Sequence, residues 1–237
     1  MINIALNTLK EIIRNKFLSL IVVFAILMII FSIALWSLTI WENQKVIIDF
    51  WIWMIEIFWV ISVLFIWSQL LFKEIDWKTI FLLLSKPIKR RDFILWKFFW
   101  LALVISIITI FQSIVYLLVL HFNKINIDLL IIVSLFYILL KLITLIAIVL
   151  FLSSFMSTIL SIISAWLVFI LSQSFSIVID MAKNTKKEMI IYFTKWVWLL
   201  FPPFEAINTK DYIWSFTSFS TKIYIANTGY CLVYIWL

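Results

Sequence analysis

Long apolar runs constrain the fold of this chain more than any other feature of its sequence. They occupy residues 17–40, 47–71, 93–120, 128–152, 157–180 and 223–237. About 20 consecutive apolar residues suffice for a helix to cross the hydrocarbon core of a membrane. The runs are continuous rather than alternating, which argues against a β-barrel. We therefore expect an all-α integral membrane protein with six transmembrane helices, forming a single domain over residues 1–237.

The two ends of the chain differ from these central runs. Residues 1–16 place Leu6, Leu9 and Ile13 on one helical face and Lys10 and Arg14 on the other, which predicts an amphipathic helix in the membrane interface. The following run lacks a small-residue cleavage site and is expected to be retained as a span. The last run is shorter than the about 20 residues that a span needs, so we expect a truncated C-terminus.

Basic residues predict how the chain is oriented. They concentrate in residues 1–16 and 73–97, whereas residues 41–46 and 121–127 contain only Lys45 and Lys124. Because Lys and Arg are enriched in cytoplasmic loops, we expect a plasma-membrane protein with a cytoplasmic N-terminus. Residues 181–222 then form an external loop despite six lysines. This loop is partly membrane-dipping, because its apolar stretch continues to Pro202 and Pro203, which break it.

The net charge of +7 also bears on possible partners. The basic residues lie between the apolar runs, where they meet lipid headgroups. This placement favours membrane lipid as a partner and argues against nucleic acid.

The connection between the second and third spans, KEIDWKTIFLLLSKPIKRRDFILWK, is the most informative segment. Its amphipathic part runs from Glu74 to Leu84 and is expected to end near Ser85 and Lys86, because Pro87 disfavours helix at the residue before it. A second helix is expected to begin near residues 90–92 and to enter the membrane. Charge alone would favour a solvated basic turn that only follows the enrichment of Lys and Arg in cytoplasmic loops.

The same segment resembles the first cytoplasmic loop of type-2 ABC transporter permeases. The matching residues are Lys73-Glu74, Trp77-Lys78-Thr79-Ile80, Leu83-Leu84-Ser85-Lys86-Pro87-Ile88, Arg90, Phe93 and Trp96-Lys97. Residues 201–208 resemble a Pro-Asn-rich stretch of that family more weakly. The resemblance implies a short cytoplasmic coupling helix within residues 73–92. The residues it implies for docking and hinge roles are Glu74, Thr79, Ser85, Lys86, Pro87 and Arg90.

What the resemblance implies about function is specific. The chain would be the permease subunit of an ATP-driven exporter that moves its substrate by alternating access. A second permease subunit, identical or different, and separate ABC ATP-binding subunits that hold ATP-Mg would be its partners. This chain would then have no cofactor and no enzymatic activity of its own. A non-transporting membrane anchor or assembly factor, or a secondary transporter, remains the alternative.

Tryptophan occupies positions where that family has glycine. The chain contains 14 tryptophans and one glycine, although average usage of about 7% predicts roughly sixteen glycines. The clearest cases are Trp96 and Trp100, and the plausible ones are Trp36, Trp41, Trp51, Trp59 and Trp67. We hypothesise that many of these codons are UGA and are read as glycine in the source organism. Glycine at 96 and 100 would give a small-xxx-small helix contact.

Catalytic and metal-binding patterns are not found in the sequence. The single histidine, His121, and the single cysteine, Cys231, have no partner at ligand spacing. Three ionisable residues lie in or near the spans, Glu56, Lys141 and Asp180, where such groups are costly and often functional. Glu56 is the deepest and is a possible intramembrane polar site, although a carboxyl hydrogen-bonded within the bundle fits as well. Lys141 is either mid-span or reaches the interface, and Asp180 is expected at the outer end of the fifth helix.

Overall fold

The computed structural model describes residues 23–33 without 25, 28 and 32, then 43–64, 90–184, 201–209 and 221–236, and the single residues 189, 192, 196 and 213. The regular structure of these residues is entirely helical, which confirms the all-α prediction for this part of the chain. The helices with defined bounds are α1 (Asn43–Ser62), α2 (Arg90–Phe122), α3 (Leu129–Ser153), α4 (Thr158–Gln173), α5 (Phe175–Asn184) and α6 (Thr221–Trp236).

Two of these helices are long and apolar enough to cross a membrane. They are the 29-residue segment Ile94–Phe122 of α2 and the 25-residue helix α3, with lengths of about 43 and 37 Å. The hydrocarbon core of a bilayer is about 30 Å thick. Two shorter apolar helical segments, Thr158–Gln173 and Ile225–Ile235, accompany them. The third and fourth predicted spans therefore correspond to α2 and α3.

Helix α3 is the centre of the packing. It contacts α1, α2, α4 and α6. Its aliphatic side chains Leu142, Leu145, Ile146 and Val149 are fully buried. Because its neighbours lie on several sides, most side chains in the middle of α3 are buried, and Lys141 there is only 2% exposed.

The connections on either side of α3 are short. Lys124, in the turn after α2, has a φ of 56°, and its N–H donates to the His121 carbonyl at 3.0 Å. At the other end, residues 154–157 form the turn that the Ser-rich sequence predicts between the fourth and fifth runs. The Ser154 N–H donates there to the Phe151 carbonyl at 3.1 Å. Short connections of this kind place α2, α3 and α4 side by side.

The prediction of one continuous helix over residues 157–180 is wrong. Helix α4 ends at Gln173, Ser174 is bent, and α5 begins at Phe175. The break follows from tertiary contacts, because Gln173 bonds to another helix and the Glu205 N–H donates to the Ser172 carbonyl at 3.3 Å. Asp180 consequently lies within α5 rather than at the end of a longer helix.

The described part of the predicted external loop packs on the end of α4. Pro202, Pro203 and Phe204 are buried, and the rings of Phe169 and Phe204 lie 5.8 Å apart. Phe204 joins a second buried cluster with Tyr137, Leu140, Ile207 and Cys231. Residues 201–209 therefore contribute to the core on the side of α3 that faces α6.

Other predicted segments lie outside the described residues. They are the interfacial helix at residues 1–16 and residues 73–89 of the coupling segment. The description resumes at Arg90, which is helical and is the first residue given for α2; the predicted helix start near residues 90–92 stays a prediction.

Candidate functional site

Lys141 lies at the midpoint of α3 and is buried. Its side chain is 2% exposed, and the ends of α3 are each about 18 Å away along the helix axis. A lysine side chain is too short to carry its ammonium that distance. The sequence allowed a Lys141 ammonium either in the middle of the span or at the membrane interface. In the structure it lies in the middle of the helix.

Glu56 of α1 is the partner of this ammonium. The Lys141 Nζ donates to the Glu56 Oε1 at 3.0 Å, and the Glu56 side chain is 3% exposed. The two residues are 85 positions apart in the chain, and the contact between α1 and α3 brings them together. The deepest acid found by sequence analysis is therefore one half of a buried ion pair.

Gln173, the last residue of α4, completes the cluster. Its Nε2 donates to the same Glu56 Oε1 at 3.0 Å. The bend at Ser174 leaves Gln173 at the helix end, where its amide reaches α1. We call Glu56, Lys141 and Gln173 the buried polar triad. It joins α1, α3 and α4 through one carboxylate oxygen.

The electrostatics of the triad explain its composition. An isolated charge in a low-dielectric interior is very unfavourable, so a buried carboxylate and a buried ammonium are tolerated when they face each other. The attraction between them does not by itself yield a large net stabilisation, because both charges lost their hydration. The triad therefore specifies how three helices sit together, and its members depend strongly on one another.

The triad offers polar contacts rather than a reactive group. Each charge is neutralised by its partner, and the Gln173 amide occupies a further hydrogen-bonding position. In the described residues, no group of three or more His, Cys, Asp and Glu side chains is placed to hold a metal ion. The arrangement is suited to holding helices in one position and to releasing them when the pair separates.

Sequence reasoning named two members of the triad without pairing them. Glu56 and Lys141 carry opposite charges, and each lies near the middle of a different apolar run. Because charged residues within apolar spans usually pair with one another, their opposite signs could have predicted the ion pair. Gln173 was missed because a glutamine near a helix end has many ordinary explanations. Its role depends on the break after α4.

The remaining residues named from sequence lie elsewhere. Glu74, Thr79, Ser85, Lys86 and Pro87 are outside the described residues, and Arg90 is the first residue of α2. His121 is in the last turn of α2 and is exposed. Cys231 is a buried free thiol in α6.

No protein-family model, no curated protein and no solved structure matches this chain. Its function is therefore inferred from its own residues and from the resemblance of its loop segment.

The contribution of Gln173 can be measured by its replacement with leucine. We expect Gln173→Leu to lower the free energy of unfolding by roughly 1.5–3 kcal/mol, because it removes a hydrogen bond to a charged group. Thermal unfolding of the purified protein in detergent measures the loss. Ser164→Ala is the matched control, since the exposed Ser164 hydroxyl donates to the Leu160 carbonyl of its own helix. Equal stability of the two variants would contradict a role for Gln173 in the triad.

Proposed function

We propose that this protein is the membrane-spanning permease subunit of a type-2 ABC transporter that exports its substrate. It pairs with a second permease subunit and with separate ATP-binding subunits, and it crosses the plasma membrane six times with a cytoplasmic N-terminus. The resemblance of residues 73–97 to the family's cytoplasmic loop supports this assignment. Two helices of spanning length and an all-helical description agree with it.

The observation that carries the proposal beyond the resemblance is the buried polar triad. A transporter alternates between two arrangements of its helices, and each arrangement needs contacts that the other lacks. The triad ties α1 to α3 and α4 through one carboxylate oxygen. Separating such a buried ion pair leaves uncompensated charges in the interior, which is very unfavourable. The pair is therefore suited to defining one of two discrete states.

The coupling segment provides the input to this bundle in our proposal. Residues 73–89 connect the run that contains α1 to the start of α2, so a force on them acts on both helices. Charged Glu74 and Arg90 at its ends would set the register on the ATP-binding subunit. Apolar Ile75, Ile80 and Phe81 between them would supply the buried centre of the interface.

Alanine substitution at both ends of this segment tests the assignment. We expect Glu74→Ala combined with Arg90→Ala to leave ATP hydrolysis by the partner subunits in place and to abolish its coupling to transport. The measurement is ATPase activity and transport by the reconstituted complex. Lys124→Ala is the matched control, because it removes a charge from the connection at the opposite end of α2. Transport that is unchanged in the double variant would contradict the proposal.

Co-purification is the more direct experiment. The full-length chain, expressed with the product of a neighbouring reading frame that contains an intact Walker A motif, is expected to retain that ATPase through gel filtration. Scrambling residues 73–92 should abolish the association. A chain that functions unchanged with the scrambled segment would instead indicate a membrane anchor or assembly factor.

A further inference from the structure

Helix α2 contains two buried polar side chains that the triad does not use. Gln112 and Tyr116 are both fully buried. The amide nitrogen and oxygen of Gln112 and the hydroxyl of Tyr116 have no hydrogen-bond partner among the described residues. The two residues are one helical turn apart, so they share a face of α2. Buried polar groups in proteins are nearly always hydrogen-bonded, and this pair therefore requires an explanation.

Neighbouring polar side chains on α2 behave differently. The Thr109 hydroxyl donates to the Ile105 carbonyl at 2.7 Å, and the Ser113 hydroxyl donates to the Thr109 carbonyl at 2.7 Å. These bonds within the helix satisfy short side chains at low cost. The amide of Gln112 and the phenol of Tyr116 extend beyond the backbone of their own helix. Their polar atoms therefore find no partner on α2 or elsewhere among the described residues.

The chemistry of the two groups restricts what they can accept. A carboxamide offers two donors and one acceptor oxygen, and a phenol offers one donor and one acceptor. Neither carries a charge at neutral pH. Together with the buried Thr109 they form a hydrogen-bonding face on α2, and the charge of Asp49 on α1 acts on Tyr116. This face matches water and the hydrogen-bonding groups of a solute.

The position of this face along α2 fits a path for a solute better than a contact that only holds helices together. Gln112 and Tyr116 lie beyond the midpoint of the spanning segment Ile94–Phe122, in the half that is external under the proposed orientation. α2 packs along the central helix α3 and also contacts α1. Tyr116 is turned toward α1, since its ring stacks on that of Trp51 with centroids 5.5 Å apart. The ring contact only places Tyr116 on the α1 side of α2, and the inference itself rests on the unpartnered polar atoms of Gln112 and Tyr116.

We propose that Thr109, Gln112 and Tyr116 line the external half of a hydrated path between α1 and α2, and that this path takes substrates with hydrogen-bonding groups. The three side chains are buried in the structure, and in this proposal separation of α1 from α2 exposes them to water. This inference rests on the proposed transport function and adds to it the location of the path and the chemical class of its cargo.

Cysteine accessibility in proteoliposomes tests the path. The full-length chain carries Cys231→Ser, which removes its single cysteine, together with Gln112→Cys, Tyr116→Cys or Thr109→Cys. The matched controls are Ile110→Cys and Ile114→Cys, because these residues are 52% and 51% exposed on the other side of the same stretch of α2. Methanethiosulfonate reagents that cannot cross the membrane, one cationic and one anionic, are added from outside. Each variant is first checked for a single gel-filtration peak.

We expect cysteines at 109, 112 and 116 to react at least about tenfold faster than those at 110 and 114, because the reactive thiolate forms in water and not in lipid. Thr109→Cys is nearly isosteric and keeps the test available if Tyr116→Cys does not fold. Equal rates at positions 110 and 112 would overturn the path.

The labelling needs no ATP-binding subunit, which separates the two proposals. Preferential labelling in a chain that does not bind an ATPase would reject the ABC assignment and retain the path. Absence of preferential labelling in a chain that does bind one would reject the path alone.

Discussion

Replacing Lys141 with methionine is expected to lower the free energy of unfolding by about 3–5 kcal/mol, because it leaves the Glu56 carboxylate buried without its counter-charge. The Lys141 Nζ lies 3.0 Å from the Glu56 Oε1, and both side chains are nearly inaccessible. Glu56→Met should have a comparable effect, since it strands the ammonium at the middle of α3. Thermal and denaturant unfolding in detergent measure both losses.

The double variant distinguishes a coupled pair from two independent polar residues. Glu56→Met combined with Lys141→Met should recover much of the stability lost by either single variant, because an apolar pair of similar volume often replaces a buried ion pair without cost. Transport should nevertheless be impaired if the pair defines one of two states. Lys124→Met is the control for the loss of a positive charge at an exposed position. Single-variant losses under about 1 kcal/mol, as at exposed ion pairs, would contradict this account.

Peptides from the natural protein are expected to contain glycine at positions 51, 96 and 100, and the corresponding codons are expected to be UGA. Trp96 and Trp100 lie one turn apart on α2, the spacing at which small residues let two membrane helices approach closely. The indole N–H groups of Trp51 and Trp100 are buried without a hydrogen-bond partner among the described residues, although buried tryptophans usually find one. Mass spectrometry of peptides from the source organism measures the residue directly.

Trp196 is the internal control for this prediction. It is 73% exposed, and an exposed aromatic ring at a membrane interface is an ordinary use of tryptophan. We therefore expect tryptophan to remain there in the natural protein. UGG codons at Trp77, Trp96 and Trp100 would refute the recoding hypothesis, and the chain would then be one that is truly rich in tryptophan.

Sequence patterns were sufficient for the features that depend on local composition. The runs at residues 93–120 and 128–152 predicted α2 and α3 nearly to their ends, because an uninterrupted apolar segment in a membrane satisfies its backbone as a helix. The turn at residues 154–157 followed from the placement of serine. The same reasoning identified Glu56 and Lys141 as costly side chains, since a charge in an apolar run is visible without any partner.

Tertiary structure alone decided how those side chains are satisfied. The apolar run at residues 157–180 contains no proline or glycine, yet it breaks at Ser174 because Gln173 and the Ser172 carbonyl find partners in α1 and in residues 201–209. The pairing of Glu56 with Lys141 spans 85 residues, and no local pattern encodes a contact of that range. Apolar runs determined which segments became helices, whereas the need to neutralise buried charge and to satisfy buried polar groups determined how the helices met.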